Sequence, residues 1–394
     1  MKKIGIMGGT FNPIHLGHIE LGKCAYEQYN LDKVIYMPAF SPGHRIGENI
    51  SSFEHRANMV KLAIKDYPYF EFSDLEYQRG GYTYTVDTLR ILQEIYRDAE
   101  IYFIIGADSL FNFHTWKEPE NIVKMAHLLV STRDDVDYDD LTDKIEELSD
   151  TYNASIMPLR SINMPISSTM IRNAFAFNEE PDYIDENVRQ YAHLHKLYSI
   201  DIRAIDEYLQ EHLDKKRYEH SISVAFVAKA LAKHYGANDF KAYLAGLVHD
   251  IAKCMPDDEK LKICHENGIE ISKAELNFKE LLHPKVGAYI CREIFGINDK
   301  DFLNAIIYHT TGRANMSLLE KIIYIADYIE PSRKPLPNIE RLRELAYEDI
   351  DKTVYQVSEN IIKYLEANTD NIDEASYQTR DYYKQLFKET EELQ

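Results

Sequence analysis

Cationic side chains are in short supply. Against 65 Asp and Glu the chain sets only 45 Lys and Arg, a formal net charge of −20 over 394 residues. So acidic a surface repels polyanions, which excludes non-specific binding to nucleic acid or to an anionic membrane. Any anionic substrate must be held locally, by Arg, Lys, His, backbone N–H groups or metal. Cysteine is also scarce. Cys24, Cys254, Cys264 and Cys291 contain no CxxC pair, and they read as reduced thiols of a cytoplasmic protein rather than a disulfide framework. No apolar run is long enough to span a bilayer. The opening MKKIGIMGGTFNP passes straight into a Gly-rich turn, unlike a secretion signal. Repeats, low-complexity tracts and Gly/Ser- or Pro-rich linkers are missing as well. What is present is a globular composition, 45% apolar and 28% charged, in a chain too long for one ordinary core, so two domains are expected.

The first half alternates. Residues 3–8 (KIGIMG) read as a short buried strand ending at Gly8-Gly9, and 15–29 as a helix. Strand signals recur at 33–37, 69–74, 101–105, 127–131 and, more weakly, 154–158, with helical periodicity at 54–64 and 85–96. Strands alternating with helices imply a parallel, doubly wound sheet. From about Asp201 onward strand signals almost vanish, and segments such as SISVAFVAKALAKHY and LLEKIIYIADYIE carry helical periodicity. The expected organisation is an N-terminal α/β Rossmann-like domain over 1–198 and a C-terminal all-α domain over 199–394.

The first strand feeds GGTFNPIHLGH. Gly8 and Gly9 are expected to take positive φ and let the backbone of Gly8, Gly9, Thr10 and Phe11 approach a ligand. The next helix offers free N–H groups and a positive dipole end, which favour phosphate. His15 and His18, three apart, can face one phosphate group and donate to its oxygens. Either imidazole alone is more simply a satisfied structural side chain; two behind a Gly-Gly turn at a strand end favour function. Late in the same half stands ISSTMIR, residues 166–172. Ser168 and Thr169 at a helix start, with the planar guanidinium of Arg172, suit phosphate oxygens, although SST alone reads as an ordinary cap.

HLGH and ISSTMIR together resemble the nucleotidyltransferase superfamily marked by (H/T)xGH and ISSTxIR. Within it, residues 1–198 are similar to bacterial nicotinate-nucleotide adenylyltransferases, on GGTFNPIHLGHI, YTVDTL, IGADS, Trp116-Lys117 and ISSTMIR. The resemblance implies transfer of AMP from ATP to nicotinate mononucleotide, with Mg²⁺ accompanying ATP. It implies that His15, His18 and Arg172 stabilise charge and that Ser168 and Thr169 grip the triphosphate. Thr85 and Trp116 would line the nicotinate site, Trp116 stacking on the pyridine ring, for which a plain core or rim role is the alternative. Asp108 would contact the ATP ribose, and Arg45 and Arg133 the phosphates. Because the attacking phosphate is already ionised, no general base is required. Nicotinate against nicotinamide is a choice made by backbone groups that a sequence does not display.

The helical half carries His220, His249-Asp250, His283, His309 and Asp327, each on or beside a helical segment. Imidazole and carboxylate suit Mn, Fe or Zn, and a bridging carboxylate can hold two ions. A lone HD pair is weak; the ordered set resembles the HD-domain metal-dependent phosphohydrolases. HDIAK, HPKVGA, HTTG and ADYIEPSR are similar to the bacterial subfamily that cleaves diadenosine tetraphosphate to two ADP. That resemblance implies one metal on His220, His249, Asp250 and Asp327, a second on Asp250, His283 and His309, and polyphosphate contacts from Lys253 and Arg333. His212, His234 and His265 read as surface or capping residues. Two competing readings are an HD module that acts on another nucleotide or only senses one, which the complete ligand set disfavours, and an RNA-end or tRNA enzyme, which the net charge disfavours. Expected partners are small nucleotides, with no nucleic acid and no membrane. Self-association is left open, since core and interface stripes look alike in helical faces.

Overall fold

The computed structural model describes residues 1–40, 50–81, 84–131, 138–160, 164–331, 338–369 and 372–392. Two compact units form: Met1–Phe175 with Glu179–Ser199, and Ala176–Asn178 with Ile200–Gln394.

In the first unit six strands form one sheet: β1 (Lys2–Gly9), β2 (Lys33–Pro38), β3 (Phe70–Phe72), β4 (Ala99–Gly106), β5 (His127–Ser131) and β6 (Ile156–Leu159). The order is β3-β2-β1-β4-β5-β6, and every pairing is parallel. The central strands are continuous apolar runs because both faces are covered by helices. Ile4, Ile6, Ile35, Met37, Ile101 and Phe103 pack on one face with Leu89, Leu92 and Leu148 from the crossover helices. Met7, Val34, Tyr36, Ile104 and Leu129 pack on the other with Ile19, Ala25, Met59 and Val60. The alternation is the period of two that a pleated strand imposes. Chain order reverses direction between β1 and β4, so their carboxyl ends open the crevice in which doubly wound sheets bind ligands.

Two expectations need correction. Gly8 and Gly9 do not take positive φ. Both remain in β1, paired with Met37 and Pro38 of β2, and the ladder keeps them extended; the left-handed residue of the turn is the buried Phe11, at φ 49°. The strand anticipated at 69–74 contracts to Phe70–Phe72 because only three residues register with β2, and the chain then turns into a short helix, Leu75–Arg79. An acidic helix, Tyr138–Tyr152, crosses over between β5 and β6; two parallel neighbours need such a crossover.

The second unit has no strand among its described residues. Its longest early helix, Lys215–His234, starts at Asp214, whose carboxylate accepts the Arg217 N–H. It packs on Asp239–Val248 through Ala225, Ala228, Ala242 and Ala245, all fully buried. Gly246 makes the closest approach: a Cβ there would lie 2.9 Å from Ala225 Cα. Behind this pair stand the helices His283–Glu293, Lys300–Ile307 and Leu318–Ile329. No helix among the described residues is long and apolar enough to cross a membrane.

Candidate functional site

Each unit gathers one constellation. In the first, β1 ends and Asn12-Pro13 lead into the helix Leu16–Tyr29. His15 precedes that helix and is buried, His18 is half-buried, and their rings lie 3.8 Å apart between centroids. The His15 N–H donates to His18 Nδ1 at 3.3 Å. A backbone N–H can only donate, so the neutral ring carries its proton on Nε2, where it can donate to an anion. Gly17 has to be small: a Cβ would meet the His15 ring at 3.0 Å and Ile166 at 3.3 Å.

The late motif closes on the early one. Ser168 Oγ donates to Pro13 O and Arg172 Nη1 to Asn12 O, both at 2.8 Å, and Arg172 Nη2 reaches Thr169 Oγ1 at 3.0 Å. His15, His18, Ser168, Thr169 and Arg172 are thereby brought to one end of β1. A Cβ on Gly8 would lie 3.6 Å from the Phe103 ring, and Trp116, half-buried, sets its edge against Phe103 and leans on Phe113. Asp108, exposed, follows β4 and folds its carboxylate back toward Gly106, where a Cβ would require that side chain to turn away. Thr85 opens the helix Thr85–Ile95. Arg45, Arg133 and, in the other unit, Arg333 lie outside the described residues.

One contributor was not anticipated. Arg56, 2% exposed, donates to the carbonyls of Ser51, Thr10 and Phe40 at 3.0, 2.7 and 3.4 Å. Through Thr10 it braces the turn that follows β1. The available signal was a guanidinium on the apolar stripe of RANMVKLAI.

In the second unit the six anticipated ligands converge from five segments. Asp250, 3% exposed, lies at the centre and divides its oxygens. Oδ2 is 3.4 Å from His249 Nε2 and 3.9 Å from His220 Nε2; Oδ1 is 3.0 Å from His283 Nε2 and 3.5 Å from His309 Nε2. Asp327 Oδ1 lies 3.1 Å from His220 Nε2 and 3.7 Å from His249 Nε2. Three overlapping groups have ligand atoms mutually within 4.8 Å: His220, His249 and Asp250; His249, His309 and Asp327; Asp250, His283 and His309.

The outer nitrogens decide what the cluster can hold. Nδ1 of His249, His283 and His309 faces the carbonyls of Gly246, Glu280 and Ile306 at 2.7, 2.6 and 2.7 Å. A carbonyl only accepts, so these Nδ1 atoms carry the protons and the Nε2 lone pairs point inward. His283 and His309 Nε2 then face each other at 3.3 Å, and the Nε2 atoms of His220 and His249 are buried without a hydrogen bond even beside the carboxylates. Lone pairs and carboxylates turned on one another repel unless a cation sits among them. Ligands about 2.1 Å from an ion lie about 3.0–3.4 Å apart, close to several of these separations. The residues therefore fit divalent metal.

Electrostatics agree. Burial alone would raise Asp250, but His249, His283 and His309 outweigh it and hold the carboxyl well below its usual range. Burial pushes His283 down to about 4, so a proton does not substitute for the cation there. His220 is pulled down by burial and held above its ordinary value by Asp327, Asp250 and Glu330. Two neighbours escaped the sequence reading: Arg217, donating to Asp250 Oδ2 at 2.6 Å, and Glu330, whose Oε1 meets His220 Nδ1 at 3.2 Å. Spacing was the available signal, since Arg217 and Glu330 stand three residues from His220 and Asp327. Lys253 pairs with Glu280 at 3.0 Å.

The sheet and its His pair define a cytidylyltransferase-like nucleotidyltransferase, and that family matches residues 6–174; the HD domain family matches residues 217–332. The probable nicotinate-nucleotide adenylyltransferase of Lachnoclostridium phytofermentans is 44% identical over 199 residues, 50% of this chain and 100% of that one. Its counterpart in Desulfitobacterium hafniense strain Y51 is 39% identical over 203 residues, 50% of this chain and 97% of that one. A crystal structure of a predicted HD superfamily hydrolase involved in NAD metabolism from Clostridium acetobutylicum shares 40% identity, covering 47% of this chain and 97% of that one, with a TM-score of 0.46. The chain belongs, through its first half, to the nicotinate-nucleotide adenylyltransferase family, and it carries a C-terminal HD domain whose His/Asp cluster could hold divalent metal.

Proposed function

We propose that the chain is a bifunctional enzyme. Its first unit joins nicotinate mononucleotide to the AMP part of ATP; its second hydrolyses a dinucleoside polyphosphate, diadenosine tetraphosphate, to two ADP.

The first reading rests on the closure of Ser168 and Arg172 onto Asn12 and Pro13, which joins two phosphate-binding motifs far apart in sequence. In the reaction a phosphate oxygen of the mononucleotide attacks the α-phosphorus of ATP. One P–O bond forms, the α–β bridge breaks, and pyrophosphate leaves with its electron pair. His18 Nε2–H and His15 donate to the oxygens that gain charge; Arg172, Ser168 and Thr169 hold the departing phosphates, Mg²⁺ arriving with ATP. Asp108 is assigned to the ribose, Thr85 and Trp116 to the pyridine ring, and Gly8, Gly9, Thr10 and Phe11 to the adenylate phosphate. Formation of nicotinate adenine dinucleotide from ATP, with nicotinamide mononucleotide a poorer acceptor, tests this.

The second reading rests on the ring of inward-facing Nε2 lone pairs around Asp250. His220, His249, Asp250 and Asp327 would hold one ion, and Asp250, His283 and His309 a second, iron or manganese in kind. When bound, such ions supply Lewis-acid stabilisation of phosphate charge and lower the pKa of water. Arg217 and Lys253, at 33% and 21% side-chain exposure, would bind phosphate. Chromatography of diadenosine tetraphosphate incubated with the full-length protein and Mn²⁺ or Fe²⁺ tests the assignment. ADP as sole product, lost in His249→Ala, supports it; metal binding without turnover moves the domain to another nucleotide or to a sensing role.

A further inference from the structure

The four histidines of the metal cluster are not supported alike. For His249, His283 and His309 the Nδ1 partner is the carbonyl three residues back, in Gly246, Glu280 and Ile306. Each of these histidines stands at a helix end, where such a carbonyl is available. His220 lies inside the helix Lys215–His234, whose interior carbonyls are engaged in the helix itself. Its Nδ1 instead meets Glu330 Oε1 at 3.2 Å, and the Glu330 residue is 1% exposed. Glu330 follows the helix Leu318–Ile329 and is fixed there: its N–H donates to Ala326 O at 3.1 Å and its carbonyl accepts Arg343 Nη2 at 3.1 Å. Asp327, one helical turn earlier, approaches the opposite nitrogen of the same ring at 3.1 Å.

We propose that Glu330 is a positioning residue that ranks the two metal positions, making the ion among His220, His249, Asp250 and Asp327 the tightly held one and the ion among Asp250, His283 and His309 the exchangeable one. The inference rests on the metal-centre reading above. A carboxylate draws on the Nδ1 proton more strongly than a carbonyl does, which makes Nε2 the better donor and fixes the ring plane. The charges point the same way. Asp250 and Asp327 face the first position with Glu330 one hydrogen bond further out, more negative charge than Arg217 on Asp250 Oδ2 offsets, whereas the second position rests on the shared Asp250.

The test is metal binding by the full-length protein, stripped with chelator and titrated with Mn²⁺ calorimetrically, with metal content measured after desalting. The unmodified protein should retain one ion through desalting and take up a second more weakly. Glu330→Gln keeps the shape of the side chain and removes its charge. It should weaken the tight ion by about 10–100-fold while leaving the weak one unchanged. In His309→Ala, which removes the weak position, the retained ion should persist and should still respond to Glu330→Gln. Two ions of equal affinity, or a Glu330→Gln variant that shifts both or neither, overturn the ranking. An unmodified protein that binds no Mn²⁺ at all overturns the metal-centre reading itself.

Discussion

The two units use histidine in opposite senses, and the difference lies in one hydrogen bond. In the first, His18 Nδ1 accepts a backbone N–H, so Nε2 is the donor and the ring suits an anion. In the second, Nδ1 of His249, His283 and His309 donates to a carbonyl, so the free nitrogen is a lone pair and the ring suits a cation. Histidine content alone does not distinguish a phosphate site from a metal site; whether the ring's second nitrogen meets a donor or an acceptor does.

The sharpest way to break this comparison is to remove one ring from each unit. His18→Ala should lower adenylyl transfer by about 10²–10³-fold, the usual cost of one charge-stabilising donor, and leave bound metal unchanged. His249→Ala should abolish polyphosphate hydrolysis and strip metal, while transfer persists. Rates of both reactions and metal content of both variants check this; metal loss in His18→Ala would collapse the distinction.

A second contrast concerns buried carboxyl groups. Asp250 is held ionised by imidazoles. Glu76, buried against the first turn of the Thr85–Ile95 helix, is raised to about 7, mainly by burial, although Thr88 Oγ1 donates to it at 2.9 Å. The folded value lies above the ordinary 4.5, so this group's stabilisation is complete below about pH 4.5 and is lost as pH rises through 7. The span corresponds to about 3 kcal/mol. Urea unfolding of the first unit between pH 5 and 8 should show that decline, and Glu76→Gln should flatten it. An identical slope in the variant would assign the decline elsewhere.

Much of this was legible in the sequence. Parallel strands buried on both faces are continuous apolar runs, so the sheet showed itself, and the six His and Asp that converge in the second unit stood out through their ordered spacing on helical segments. The reading failed where partners are carbonyls or lie far along the chain. Phe11, not a glycine, takes the left-handed turn because β1 stays paired through Gly9. Arg56 braces three carbonyls, which no motif marks. Glu330 finds His220 across 110 residues. Tautomers, which carry the central contrast, are invisible until the acceptors are located.

Smaller effects sharpen the contrast from the scaffold side. Gly246→Ala would push a methyl group into the Ala225 backbone at 2.9 Å and lift the Asp239–Val248 helix, with His249 at its end, off its neighbour. Overpacking of this kind costs about 1–3 kcal/mol, and thermal melts should register it in the second unit with weakened metal retention. The mildest change acts on Asp214. Its carboxylate caps the Lys215–His234 helix by accepting the Arg217 N–H at 2.9 Å, and that first turn aims Arg217 at Asp250 and, one turn on, His220 at Asp327. Asp214→Ala should cost about 1 kcal/mol of helix stability. Because Asp250 keeps its histidines, metal should remain; because the first turn frays, Arg217 should lose its hold, raising KM for the polyphosphate more than it lowers kcat. An unchanged KM beside the expected loss of stability would remove Arg217 from the phosphate-binding set and leave it as a partner of Asp250 alone.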